Sequence, residues 1–170
     1  MKYPSEHQQI VNRLLKGKFI IYPDPLFNII EKSEDYPDFF KYSFGYELNV
    51  EAEFAYLSSE HTTEKGTRDF ALFLAILCRE LDYSNENFRE KVEFGEFDIN
   101  ETHNLLKQSS KWEILQKTSV EDFEGFIKTW SNRNLLKSDK GRFKFTKAVK
   151  IFFNYAVNLA EEKLQADKIQ

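Results

Sequence analysis

Apolar residues recur at helical spacing along most of the chain, and at two places that rhythm gives way to strict alternation. Ile10, Val11, Leu14 and Leu15 form one stripe that stops at Gly17, with Ser5 and Gln8 at capping-box spacing in front of it. Asp24-Pro25 starts a second helix, with proline at its first position and Leu26, Phe27, Ile29 and Ile30 facing inward. A third helix is predicted after Pro37, carrying Phe39, Phe40 and Phe44 as far as Gly45. Tyr46, Leu48 and Val50 then alternate with polar residues, and Phe54-Ala55-Tyr56-Leu57 supplies a return strand across a turn at 51–53.

The polar run 58–66 (SSEHTTEKG) reads as a linker between two domains, one over 1–60 and the other over 67–146, with a closing helix over 147–170. A helix over 67–81 bears Phe70, Phe73, Leu74, Leu77 and Leu81 on one stripe, widened by Leu72 and Ile76, so it should be the most buried helix of the second domain. Residues 82–96 are acidic, and their pattern is compatible with either a loop or a short helix over 85–92. Phe97-Asp98-Ile99 reads as a brief strand, Asn100 as the cap of a helix holding Leu105 and Leu106, and Trp112, Ile114 and Leu115 as another short helix. Ser119 and Asp122 have capping spacing ahead of Val120, Phe123, Ile127 and Trp130.

Leu135, the turn 138–141 and the alternating Arg142-Phe143-Lys144-Phe145 complete a second helix-then-hairpin unit. Thr146 is expected to cap a final helix whose stripe is Val149, Phe152, Phe153, Ala156, Leu159 and Ala160. Helices closing twice in an antiparallel hairpin predict a mainly α fold with small β-hairpins (α+β), arranged as tandem winged-helix domains.

Composition supports cores without staples: 41% of the 170 residues are apolar, including 17 Phe and 8 Tyr. Cys78, alone and set in an apolar run, is expected to be a buried, inert thiol, with no disulfide or thiolate metal site. The N-terminus has no apolar signal segment and the longest apolar run is too short to cross a bilayer, which points to the cytoplasm.

Charge is segregated. Residues 31–64 hold nine Asp and Glu against Lys32 and Lys41, whereas 128–150 hold eight Lys and Arg against Asp139. Arg142 and Lys144 share the outward face of a strand whose Phe143 and Phe145 point inward, with Lys137 and Lys140 across the turn and Lys128 and Arg133 on the preceding helix. These six residues are the candidate nucleic-acid contacts. Glu121, Asp122 and Glu124 stand at the start of that helix, where a major-groove reader places its contacts, so backbone rather than base contact is expected.

Catalytic patterns are absent. Ser58-Ser59-Glu60-His61 lies in the linker without a nucleophile elbow, His7 and His103 stand apart, and six single glycines build no phosphate cradle. No catalytic, metal or cofactor site is expected.

Leu14-Leu15-Lys16-Gly17-Lys18-Phe19-Ile20, Phe39-Phe40, Phe44-Gly45-Tyr46-Glu47-Leu48 and Phe54-Ala55-Tyr56-Leu57 together resemble the N-terminal half of the MukE/MksE family. Asn134-Leu135-Leu136, the charged turn, Phe143-Lys144-Phe145-Thr146 and a closing helix are similar to its second winged-helix domain. The chain's length favours the MksE-like branch, and the small subunit of the anti-plasmid Wadjet systems looks similar too. The resemblance implies a homodimeric, non-catalytic subunit that binds a MukF/MksF-like kleisin beside an SMC ATPase, is associated with the nucleoid and touches DNA within the complex. Chromosome organisation and plasmid exclusion stay open, as does a free-standing winged-helix transcription regulator.

Overall fold

A computed structural model describes residues 3–59 and 65–153. Helix α1 (His7–Leu15) buries Ile10 and Leu14. The capping box expected at Ser5 does not form: Glu6 occupies the cap position without a side-chain bond, and the Ser5 hydroxyl donates to its carboxylate at 2.8 Å. At the other end Gly17 sits at φ +70°, and the amides of Gly17 and Lys18 donate back to the carbonyls of Leu14 and Arg13. Strand β1 (Ile20–Ile21) follows, too short to show any alternation in the sequence.

Helix α2 (Pro25–Glu31) starts as predicted, with Asp24 Oδ1 accepting from the Leu26 amide at 3.0 Å. Helix α3 (Asp35–Phe44) begins two residues before Pro37 instead of after it. A proline is tolerated in the first turn because the N–H it lacks would have no intrahelical partner there. Strands β2 (Glu47–Val50) and β3 (Phe54–Ser58) make the first hairpin, and β1 pairs antiparallel with β3 to give the order β1-β3-β2. Of the three alternating residues only Leu48 is buried, while Tyr46 and Val50 stay partly exposed.

Helix α4 (Lys65–Tyr83) starts ahead of the predicted Thr67 and carries the expected stripe, with Phe70, Phe73 and Leu77 wholly buried. The open question over the acidic segment resolves as helix α5 (Phe88–Phe94), whose cap Asn87 accepts from the Glu90 amide at 3.2 Å. After β4 (Phe97–Asp98) comes α6 (Ile99–Gln108), capped by Asp98 and not by Asn100: Asp98 Oδ1 accepts from the amides of Asn100 and Glu101. Helix α7 (Trp112–Leu115) and a 3-10 turn at Ser119–Glu121 lead into α8 (Phe123–Asn132). Asp122 caps α8. Ser119 instead ties the turn to α4, its amide and hydroxyl both donating to buried Asp69 at 3.0 and 2.8 Å.

Strands β5 (Leu136–Asp139) and β6 (Arg142–Phe145) form the second hairpin, and β4 pairs with β6 in the order β4-β6-β5. Lys140 and Gly141 both have positive φ, as a two-residue hairpin turn that follows the strand twist requires. Thr146 occupies the cap position of a 3-10 turn, Lys147–Val149, that runs into a helical segment from 150, but without a side-chain cap bond: its hydroxyl donates instead to the carbonyls of Asn134 and Leu135. Ala156, Leu159 and Ala160 lie outside the described residues, as do Glu60 and His61.

Each half of the chain thus repeats one order: helical start, short strand, helices, then a hairpin whose second strand accepts the short one. Two apolar clusters result among the described residues, one around Ile10, Phe27, Tyr36 and Phe40 and the other around Phe70, Phe73, Phe126 and Trp130. Phe19 and Phe54, from the first half, pack in the second cluster.

Candidate nucleic-acid interface

The second hairpin presents its cations by simple alternation. Phe143 and Phe145 are buried, so Arg142 and Lys144 face outward, and antiparallel register sets Lys137 directly opposite Lys144 and Asp139 opposite Arg142. Lys140 projects from the turn. Arg142 pairs with Glu96 at 3.1 Å across an open surface, whereas Lys137, Lys140 and Lys144 have no ion pair among the described residues.

The other two candidates stand elsewhere. Lys128 is exposed on α8. Arg133 turns toward the first half of the chain: its Nε donates to the Gly17 carbonyl at 2.9 Å, and its guanidinium lies 4.6 Å from the centre of the Trp130 ring. The backbone explains this aim. Helix α8 ends in a Schellman arrangement, with Asn134 at φ +64°, its amide donating to Ser131 and that of Leu135 to Trp130. The reversal brings Arg133 and Asn134 against the chain after α1, where the Phe19 amide donates to the Arg133 carbonyl at 2.9 Å and Asn134 Nδ2 donates to the Phe19 carbonyl at 2.8 Å.

Lys147 and Lys150 both bind the carboxylate of Glu53 at the tip of the first hairpin, and these bonds hold its pKa below the usual carboxylate range. The start of α8 is acidic, as expected, with Glu121 and Glu124 exposed and Asp122 engaged on the Gly125 amide.

A cleft of about 1990 Å³ opens beside the hairpin, bordered by Lys137 and Lys144, by the outer face of α4 and by α5. Arg68 and Arg89 line it as well. Neither was legible as a site residue, since each is an isolated cation on a helix and only folding sets it near the hairpin. Cys78 also lines this cleft. It is half-buried rather than fully so, and burial still pushes its thiol up to about 12, which leaves it a poor nucleophile.

The two described histidines are packed against aromatic rings. His7 stacks between Tyr3 and Tyr36, and His103 packs on Phe123 with its Nε2 buried and without a partner. Among the described residues no group of three His, Cys, Asp or Glu side chains could hold a metal ion, and no helix is long and apolar enough to cross a membrane.

The fold is a repeated hairpin-bearing unit whose second copy carries a cationic tip, and comparison with known families identifies it. The model of the condensin complex protein MksE matches residues 5–157, and the chain belongs to that family. No curated protein matches it.

Proposed function

We propose that this chain is a non-catalytic accessory subunit of a bacterial condensin-like SMC complex, built as tandem winged-helix domains over 1–60 and 67–146. In this reading it forms a homodimer, binds the kleisin subunit, works beside the SMC ATPase at the nucleoid, and helps clamp DNA during chromosome organisation and segregation or plasmid defence. The observation that carries the proposal is the family match across residues 5–157; the repeated order of helices, short strand and hairpin supports the winged-helix part.

Lys137, Lys140 and Lys144 are the residues assigned to phosphate, with Arg142 joining them when it leaves Glu96 and Lys128 extending the surface along α8. Three to five such contacts give a salt dependence with a log–log slope of about −2.7 to −4.5. The acidic start of α8 opposes insertion into a major groove, so binding by the isolated chain is weak and indifferent to sequence. Electrophoretic shifts with random and selected duplexes test this, and nanomolar sequence-selective binding would instead establish a free-standing transcription regulator. Arg142→Glu with Lys144→Glu is expected to lower DNA retention by the assembled complex without changing the fold, and unchanged retention removes the hairpin from the DNA path.

A further inference from the structure

The cleft beside the second hairpin differs in character from the hairpin tip. Much of its lining is apolar, including Leu72, Ala75 and Cys78 on α4, Phe94 from α5 and Phe153 beyond the hairpin. Ala75 is exposed and Phe94 keeps 78% of its surface exposed, an unusual state for a phenylalanine. The lining also carries cations: Arg68, Arg89, Lys137 and Lys144 are all exposed, and none has an ion pair among the described residues. Of the three acids at the border, Asp24 is bound by Arg13 and Glu53 by Lys147 and Lys150, which leaves Glu93.

A cleft lined by apolar side chains and unpaired cations is complementary to a helix with one apolar and one acidic face. We propose that the cleft binds an acidic amphipathic helix of a partner chain, its apolar face on Leu72, Ala75 and Phe94 and its carboxylates against Arg68, Arg89, Lys137 and Lys144. A duplex fits worse, because its phosphates would lie over the apolar lining without hydrogen bonds. Lys137 and Lys144 belong to both surfaces, so the acidic helix and DNA compete for the hairpin. This last consequence rests on the proposed DNA contact; the docking itself does not.

The test uses the full chain and a fluorescent synthetic peptide of about five helical turns, with Leu and Phe on one face and Glu on the other. Two controls accompany it: the same residues scrambled so that no apolar face forms, and a version with Lys in place of Glu. Fluorescence anisotropy is expected to show binding of the acidic amphipathic peptide and at least roughly tenfold weaker binding of both controls. Ala75→Glu, at an exposed helical position, and separately Lys137→Glu with Lys144→Glu, are each expected to weaken binding by about tenfold with an unchanged circular dichroism spectrum. Absence of binding, equal binding of the scrambled peptide, or an affinity untouched by Ala75→Glu overturns the proposal. A change of oligomeric state on Ala75→Glu without a change in peptide affinity overturns it in favour of a second copy in the cleft. Co-elution with the kleisin is scored in parallel: a complex that forms without peptide binding removes the cleft alone, and peptide binding without a complex removes the adaptor role alone.

Discussion

Replacing Arg133 by alanine separates a structural arginine from a phosphate-binding one. The change deletes the Nε–H bond to the Gly17 carbonyl and the cation–π contact with Trp130, both local to the junction between the two halves. A hydrogen bond from a charged donor contributes about 1.5–3 kcal/mol, and a partly exposed cation–π contact about 0.5–1 kcal/mol. Arg133 is only half-buried, so water can take up part of the Gly17 carbonyl's capacity, and a net loss of about 2 kcal/mol is expected. For a chain of this size that corresponds to a fall in Tm of roughly 4–8 °C. Urea and thermal unfolding measure it, with Arg133→Lys as the companion variant. Lysine restores the charge but not the Nε–H, so it should recover less than half of the loss. Stability within about 0.5 kcal/mol of the parent, together with a fall in DNA retention that Arg133→Lys rescues, would refute the reasoning and return Arg133 to the phosphate-binding set.

Asp69→Ala is expected to cost about 1–3 kcal/mol in chemical denaturation, because it leaves the Ser119 amide without its acceptor, and Asp69→Asn should cost less since its carbonyl can still accept. Lys140→Asn should preserve or slightly raise stability, since asparagine suits positive φ better than lysine, while reducing the salt dependence of DNA retention by about one phosphate contact. Burial and nearby Lys107 lower the pKa of His103, so the folded state disfavours its protonated form. Its contribution to stability is therefore complete above the unfolded value near 6.5 and is lost as pH falls from there through the folded value; His103→Gln should flatten unfolding free energy against pH in that window.

What the sequence made legible was local. Asp24-Pro25 announces a helix because cap and first-turn proline are neighbours, and Lys140-Gly141 lies between strands whose alternation is plain. The α4 stripe was readable for the same reason. Caps failed where two candidates stood close together: Asp98 took the role given to Asn100, and Asp122 the one given to Ser119, in each case the residue directly beside the first turn. Ser119 could not be read correctly because its partner, Asp69, lies 50 residues away. Ile20–Ile21 and Phe97–Asp98 illustrate a second limit, since a two-residue strand has no period of its own and exists through pairing with β3 or β6. The candidate site divides along the same line. The outward cations of β5 and β6 follow from alternation, whereas the engagement of Arg133 with Gly17, 116 residues away, depends on how the two halves meet.

The central proposal is tested most directly by co-expressing the chain with the proposed partners, a kleisin and an SMC ATPase, and measuring composition by size-exclusion chromatography with light scattering. An accessory subunit should elute with the kleisin in fixed stoichiometry, without requiring ATP, and should retain that association when Lys140 and Arg142, which do not border the cleft, are both changed to glutamate. A chain that elutes alone under these conditions contradicts the adaptor role.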